Sequence, residues 1–201
     1  MRAFLAVEIP SGLRDQISVV QQQLKDLTAV ESGRRIRITW VKPEAIHLTI
    51  KFLGEIDEGT VDPLRISVSA AIDGWPAIEI PLGTIGAFPR FQAPRSLWIG
   101  PPAGWDLRDE AKSVLELAAR IDAACEKFGV PHDIHPWRPH LTLARVRVGE
   151  RDVGRQLEIN GLTARTHDFG SVHIDGITLM KSEMRPDGPV HTPLWTVALA
   201  R

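Results

Sequence analysis

Two short segments of the chain carry the same pair of chemically active side chains. The first places His47 two residues before Thr49, and the second places His140 two residues before Thr142. Apolar residues alternate with them, which predicts a strand in both places. Successive side chains of a strand point to opposite faces, so each histidine shares a face with its threonine. The hydroxyl can donate to a phosphate oxygen and the imidazole can move a proton near neutral pH, which indicates an oxyanion site.

The repetition is more informative than either copy alone. A single half-buried histidine on a strand is usually structural, but packing gives no reason for matched His and Thr on two separated strands. Two imidazoles that face one phosphorus atom are what acid–base phosphodiester chemistry requires. One would deprotonate the nucleophile, and the other would protonate the leaving oxygen.

A metal site is the alternative for some of the histidines. His132, His135 and His140 could supply three nitrogen ligands. Prolines between them preclude a regular helix that would align them, and Asp133 is the one carboxylate nearby. We therefore expect no metal at these histidines. The other histidines lack patterned partners and are interpreted as structural or exposed: His167, His173 and His191.

Strand and helix patterns alternate along the whole chain. Apolar spacings of three and four residues predict helices, at residues 11–27, 58–72, 107–128 and 152–157. Alternating or apolar runs predict strands, at residues 3–9, 46–54, 77–85, 96–100, 140–145, 169–180 and 194–199. Each His-x-Thr strand has helical sequence on both sides. This arrangement suggests an internal duplication, with two α/β lobes that each offer one such strand to a shared cleft.

Bulk properties bound the function. The chain has 201 residues and a net charge of −1, so we expect contact with only a few nucleotides of any nucleic acid. Arginine accounts for 18 of the 24 basic residues, which suits phosphate binding but also follows from a GC-rich genome.

The single cysteine, Cys125, lies on an apolar helical stripe and is interpreted as a buried structural thiol. We expect a cytoplasmic protein, because no apolar run approaches the length of a membrane span and no signal peptide precedes the first strand. We also expect a monomer.

One basic segment has two interpretations. Arg34, Arg35 and Arg37 alternate with isoleucines ahead of the first motif. Positive charge on an edge strand discourages aggregation. The same arginines could instead contact a phosphate backbone.

With these motifs and their flanks, the chain resembles the 2H phosphoesterase superfamily, and within it the RNA 2′,3′-cyclic phosphodiesterase family, also called the 2′-5′ RNA ligase family. The resemblance runs nearly end to end. Beyond the two motifs it rests on these segments: 1–10, 40–44, 52–55, 88–89, 97–100, 138–139, Arg145, 179–183 and 188–189.

The resemblance implies an α+β fold in which two pseudo-symmetric lobes with antiparallel sheets form one domain, residues 1–201, around a central cleft. It implies hydrolysis of RNA 2′,3′-cyclic phosphate ends to 2′-phosphomonoesters without metal or nucleotide cofactor, and the reverse 2′-5′ joining. By the family's assignment, His47 is the proton donor and His140 the proton acceptor. Thr49 and Thr142 would hold phosphate oxygens, and Arg145 would stabilise charge.

The chain departs from the family near its closing turn. The family often has a tyrosine there, whereas this chain has His191-Thr192 and no tyrosine at all. Other aromatic residues could stack on the base instead: Phe52, Phe88, Trp98 or Trp195. Two alternatives stay open, a phosphodiesterase for another small cyclic or 2′-5′-linked nucleotide and a non-catalytic module that binds RNA ends.

Overall fold

The computed structural model describes residues 1–29, 36–161, 167–186 and 188–200. Within these residues it has four α-helices, α1 to α4 in chain order: Ser11–Thr28, Val61–Ala71, Asp109–Glu126 and Glu150–Ile159. The first five strands, β1 to β5, are Arg2–Glu8, Arg37–Trp40, His47–Glu55, Ile78–Pro81 and Thr84–Phe88. The next five, β6 to β10, are Ser96–Gly100, Leu141–Val148, Ser171–Ile174, Gly176–Arg185 and Gly188–Ala198.

An antiparallel sheet carries both motif strands at its centre. Its order is β10-β9-β1-β3-β7-β6-β5, and β2 also pairs with β7. The two motif strands, β3 and β7, meet through a single residue pair, Leu48 and Leu141. The sheet therefore consists of two halves, each organised around one motif strand and joined at a narrow seam. This is the α+β, two-lobed architecture that the sequence predicts.

The chain crosses between the halves more than once. Strand β1 lies beside β3, but helix α1, which follows it, packs against α4 and contacts the turn at Pro43–Ala45. Helices α2 and α3 pack on each other, and α3 contacts β3. Because of these crossings, we propose that the lobes fold as one domain. Calorimetry should then show one cooperative unfolding transition, and two separate transitions would contradict the proposal.

The predicted helices are confirmed. They form here because their apolar stripes pack into one continuous core. Cys125 is fully buried in that core, as predicted from its place on the α3 stripe. None of the helices in the described ranges is long and apolar enough to cross a membrane.

Three of the predicted strands are wrong in extent. The strand predicted at 194–199 begins earlier, since β10 starts at Gly188. Residues 77–85 form parts of two strands, since β4 pairs with β8 in a separate two-stranded sheet and β5 belongs to the main sheet. Residues 169–180 likewise divide into β8 and β9, also in different sheets. Apolar alternation continues through both breaks, so the pattern gives no sign that the chain changes sheets. The basic residues Arg34 and Arg35 lie outside the described residues, whereas Arg37 begins β2.

Candidate active site

A one-residue bulge gives β3 the side-chain order of the site. Leu5 of β1 pairs with Lys51, but Ala6 pairs with Thr49, so Ile50 is skipped. A bulge of this kind shifts the alternation of side chains by one position. Phe52 therefore shares a face with His47 and Thr49, and the Phe4 ring packs against both His47 and Phe52.

Strand β7 contains the same bulge at the same distance from its histidine. Leu97 of β6 pairs with Ala144 and Trp98 pairs with Thr142, so Leu143 is skipped. Arg145 thus shares a face with His140 and Thr142. From histidine onward, nine consecutive residues of each strand have identical burial classes: 47–55 and 140–148. The two segments are structural counterparts, with Phe52 in the place of Arg145.

Side chains from other elements bond to the backbone at both bulges. The Trp137 indole nitrogen donates to the Thr49 carbonyl at 2.9 Å. The buried Gln21 amide of α1 donates to the Leu143 carbonyl at 2.9 Å and to the Val41 carbonyl at 2.8 Å. The two side chains thus bond other segments of the chain to both bulges, which stabilises the backbone that orients the site.

The two imidazoles are held in the same way. Nδ1 of His47 lies 2.8 Å from the Ala45 carbonyl oxygen, and Nδ1 of His140 lies 2.7 Å from the Arg138 carbonyl oxygen. A carbonyl only accepts hydrogen bonds, so Nδ1 carries the proton in both rings. Each neutral imidazole then has its lone pair on Nε2, which is the nitrogen left for a ligand.

Aromatic rings surround His47. Phe4 stacks on it with ring centroids 4.6 Å apart, and His191 meets it edge to face at 5.2 Å. The sequence interpretation of His191 as structural or exposed missed this contact. Strand β10 pairs His191 with Ser182 of β9, and β9 in turn pairs with β1. The contact with His47 therefore depends on the order of strands in the sheet, for which the sequence around His191 has no signal.

His140 lies in an equivalent aromatic frame in the other half. Phe88 meets its ring edge to face at 5.0 Å, and Trp98 lies 6.0 Å away. Gly86 lies directly beneath the Trp98 indole, where a Cβ atom would come within 2.1 Å of the ring. A side chain at residue 86 would therefore displace the wall behind His140.

The surroundings of both histidines disfavour their charged forms. Burial lowers the pKa of His47 to about 4, assisted by the nearby His191 and His140 and opposed by the Ala45 hydrogen bond. Burial and the Arg145 guanidinium lower the pKa of His140, opposed by the Arg138 hydrogen bond. The ligand-free site thus has too little negative charge to favour the protonated form of either imidazole. A bound phosphate would supply it and raise both pKa values.

A cleft of about 430 Å³ opens between the motif strands. Thr49, Phe52 and His140 line it together with Phe88 and the proline-broken segment 135–138. Phe52 is 63% exposed, so its ring is free to receive a planar group. Of the other rings considered for stacking, Trp195 is buried and bonded to the Val61 carbonyl of α2, which removes it from this role.

A buried cation anchors the cleft-lining segment. Lys51, 2% exposed, lies on the opposite face of β3 from His47. It pairs with Asp122 of α3 and with Asp133 at 3.1 Å, and donates to the Pro131 carbonyl at 2.7 Å. Burial would lower the pKa of Lys51, but the hydrogen bonds to the two carboxylates outweigh it, and the pKa is raised.

The three histidines of the metal alternative are divided by this network. His132 turns to Asp122 and Glu126 of α3, whereas His135 and His140 line the cleft. Among the residues that the structure describes, no group of three or more metal-ligating side chains occurs. Metal independence stays a prediction, to be tested by chelation.

We predict that His47 of the free protein titrates near pH 4, because burial and two neighbouring imidazoles disfavour its proton. The unfolded chain binds that proton near pH 6.5. His47 therefore contributes stability that is fully present above about pH 6.5 and is lost as the pH falls through 4. NMR titration of the imidazole measures the value, and inorganic phosphate should raise it. An ordinary pKa in the phosphate-free protein would contradict the assignment, and His47→Gln should flatten the stability profile.

The family model described as LigT like phosphoesterase matches residues 7–98 and 106–191, which separate the two motifs into two matched parts. An RNA 2′,3′-cyclic phosphodiesterase of Methanothermobacter thermautotrophicus is 30% identical over 96% of each chain. One of Methanocaldococcus jannaschii is 30% identical over 95% of this chain and 96% of its own. The crystal structure of E. coli LigT complexed with 3′-AMP has the same fold, with a TM-score of 0.70 at 21% identity over 100% of this chain and 98% of its own. The chain therefore belongs to the LigT like phosphoesterase family.

Proposed function

We propose that the protein hydrolyses RNA 2′,3′-cyclic phosphate ends to 2′-phosphomonoesters by acid–base catalysis with two histidines. The proposal rests on the matching hydrogen bonds that hold the two imidazoles. Each ring is bonded through Nδ1 to the carbonyl two residues earlier, and each shares a face of its strand with a threonine. Relatives at about 30% identity over the full length bear the name RNA 2′,3′-cyclic phosphodiesterase, which supports the same substrate.

The chemical step follows from these positions. The cyclic phosphate lies between the two strands, with the Thr49 and Thr142 hydroxyls donating to its non-bridging oxygens. Nε2 of neutral His140 takes a proton from water as the water oxygen bonds to phosphorus. Protonated His47 gives its Nε2 proton to the 3′ oxygen as the bond between phosphorus and that oxygen breaks. A 2′-phosphomonoester results. With a 5′-hydroxyl in place of water, the same sequence would form a 2′-5′ linkage and release the 3′-hydroxyl.

A bound substrate would raise the pKa of His47 and so favour the protonated form that the mechanism needs. His47 must be protonated to act as the acid, yet burial lowers its pKa to about 4 in the free protein. The phosphate charge between the rings favours the imidazolium form and moves the pKa upward. Arg145 would oppose the charge that develops on phosphorus. Phe52 would receive the terminal base by stacking, since its ring is exposed at the cleft.

Incubation with a 2′,3′-cyclic mononucleotide, followed by phosphorus NMR, tests the proposal. The product should carry phosphate on the 2′ oxygen, and turnover should survive exhaustive chelation. A 3′-phosphate product would reverse the assignment of the leaving oxygen, and activity restored only by added metal would contradict the two-histidine mechanism. Cleavage of other small cyclic nucleotides but not of this substrate would favour the alternative phosphodiesterase.

One chain supplies both motif strands, so we propose that a monomer is sufficient for activity. Sedimentation at assay concentration, compared with activity over a dilution series, checks this. Loss of specific activity on dilution would contradict it. The cytoplasmic location inferred from the sequence stays a prediction.

A further inference from the structure

A row of polar side chains crosses three adjacent strands just beyond Thr142. Arg145 of β7 pairs with Ser96 of β6 on one side and with Thr39 of β2 on the other. Residues paired across antiparallel strands project to the same face, and adjacent strands lie roughly 5 Å apart. The row therefore places a guanidinium between two hydroxyl groups on the face that carries His140. Two hydroxyl donors flanking a guanidinium form a site suited to a phosphate.

The positive charge continues past this row. Arg147 of β7 lies two residues beyond Arg145 and reaches Thr39, with 3.5 Å between Nε and Oγ1. Arg37, two residues from Thr39 on β2, projects from the same face. Among the described residues, no carboxylate forms an ion pair with Arg37, Arg145 or Arg147. Three guanidinium groups on one face are thus available to a ligand in a chain whose net charge is −1.

The spacing of these groups fits an extended nucleic acid strand. Two residues along a β-strand span roughly 6.6 Å, which is comparable to the separation of successive phosphates in an extended strand. The rows follow one another at this spacing on the partner strands, from Trp98 to Ser96 on β6 and from Thr39 to Arg37 on β2. On β7 each interval contains a bulge, at Leu143 and at Arg147. A strand whose cyclic end lies at Thr142 would therefore meet one row with each preceding phosphate.

We propose that Ser96 and Thr39, on either side of Arg145, form a second phosphate subsite, which binds the phosphodiester on the 5′ side of the terminal nucleotide, and that Arg37 and Arg147 receive the next one. The Arg145 guanidinium would lie between this phosphodiester and the terminal phosphate, with enough N–H donors to bond to both. The inference rests on the proposed function for the identity of the terminal group. The subsite predicts that an oligonucleotide end is a better substrate than a cyclic mononucleotide, because the mononucleotide has no phosphodiester on its 5′ side to bind there.

Protection of an edge strand explains the same arginines less well. Any charge along the exposed edge of β2 would discourage pairing with another sheet. That requirement does not account for a guanidinium of β7 between two hydroxyl groups, or for the row's continuity with the catalytic face. The edge explanation also predicts no effect on ligand binding, which separates the two.

The test compares a 2′,3′-cyclic mononucleotide with a trinucleotide that has the same terminal base and cyclic end. The ratio of their kcat/KM values measures the preference for the longer substrate. In the double variant Thr39→Val, Ser96→Ala the preference should fall about tenfold, the effect of hydrogen bonds lost to a charged group. The control Arg65→Gln removes an exposed arginine of α2, outside the sheet, and should leave the ratio unchanged. Thermal melting establishes that each variant is folded.

Salt dependence provides a second readout. The slope of log K against log salt should be steeper for the trinucleotide than for the mononucleotide by about 0.7 for each further phosphate that is neutralised. The double variant Arg37→Gln, Arg147→Gln should lose about one such increment. An unchanged preference in the hydroxyl variant together with an unchanged slope in the arginine variant would overturn the subsite.

A binding measurement distinguishes a failure of this inference from a failure of the proposed function. Fluorescence anisotropy with a trinucleotide ending in a 2′-phosphate, compared with a 2′-mononucleotide, requires no turnover. If the wild-type protein cleaves neither cyclic substrate, the proposed function fails. Tighter binding of the trinucleotide that depends on Thr39 and Ser96 would still support the subsite, and equal binding of the two probes would reject it.

Discussion

His47→Ala and His140→Ala should each lower kcat for a 2′,3′-cyclic nucleotide by roughly 10² to 10⁴-fold, the usual contribution of a positioned acid or base. The expectation follows from the matched frame, in which each ring is fixed through Nδ1 and leaves Nε2 for a ligand. The double variant should lose less than the product of the single losses, because two groups that act in one step are not additive.

The pH profiles should show that the reaction depends on two ionisations. The reaction needs one protonated and one neutral imidazole at the same time, so the rate should be bell-shaped in pH. In kcat/KM, which reports the free enzyme, both limbs should lie on the acidic side because burial lowers both pKa values. In kcat the bell should move upward, since bound phosphate favours protonation.

The control for these substitutions is His173→Ala, an exposed histidine of β8 that pairs with Glu79 outside the cleft. It should keep wild-type kinetics. A folded His47→Ala or His140→Ala variant with wild-type turnover would exclude the two-histidine mechanism. An equal loss in all three variants would point to a general effect on the fold instead.

The sequence predicts the motif strands and the face that each histidine shares with its threonine, because a period of two needs only local information. It does not predict what happens after Thr49. Strict alternation would place Phe52 on the face opposite His47 and Lys51 on the same face, whereas the bulge reverses both. Comparison of the two motifs gives one indication of this. The first motif has a basic residue before an apolar one, Lys51-Phe52, whereas the second has the opposite order, Ala144-Arg145. Without the pairing register, that hint does not distinguish a bulge from a surface lysine.

Contacts between distant segments explain what else the sequence did not reveal. His191 reaches His47 only because β10 and β9 extend the sheet beyond β1. The strand break between β4 and β5 depends on β8, which lies far along the chain. A strand's partner is not encoded in its own periodicity, so these features require the fold.

Lys51→Met should destabilise the protein by about 3 to 5 kcal/mol, the cost of removing one partner from a buried ion pair. Asp122, whose side chain is 10% exposed, would keep its charge and lose its cation. For a domain of this size, the loss corresponds to a fall in melting temperature of roughly 6 to 20 °C. Lys112→Met provides the matched control, because Lys112 is 70% exposed and pairs with Asp109 within one helix turn. That substitution should change stability by less than about 0.5 kcal/mol.

The same substitution should also impair the site. Lys51 bonds to the Pro131 carbonyl and pairs with Asp133, so its loss releases the start of the segment that carries His135, Trp137 and Arg138 into the cleft. We expect KM to rise at temperatures well below melting, where the protein is still folded. If KM is unchanged in the folded variant, Lys51 stabilises the core without positioning the cleft.

A compensating substitution distinguishes lost charge balance from lost packing. In Lys51→Met combined with Asp122→Asn, the uncompensated charge is gone, so part of the stability should return. Because the pKa of Lys51 is raised in the folded state, its contribution is fully present below about pH 10.5 and is lost as the pH rises through the folded value. The difference between wild type and Lys51→Met should therefore narrow at high pH. A double variant no more stable than Lys51→Met alone would show that the lysine's packing, and not its charge, maintains this part of the core.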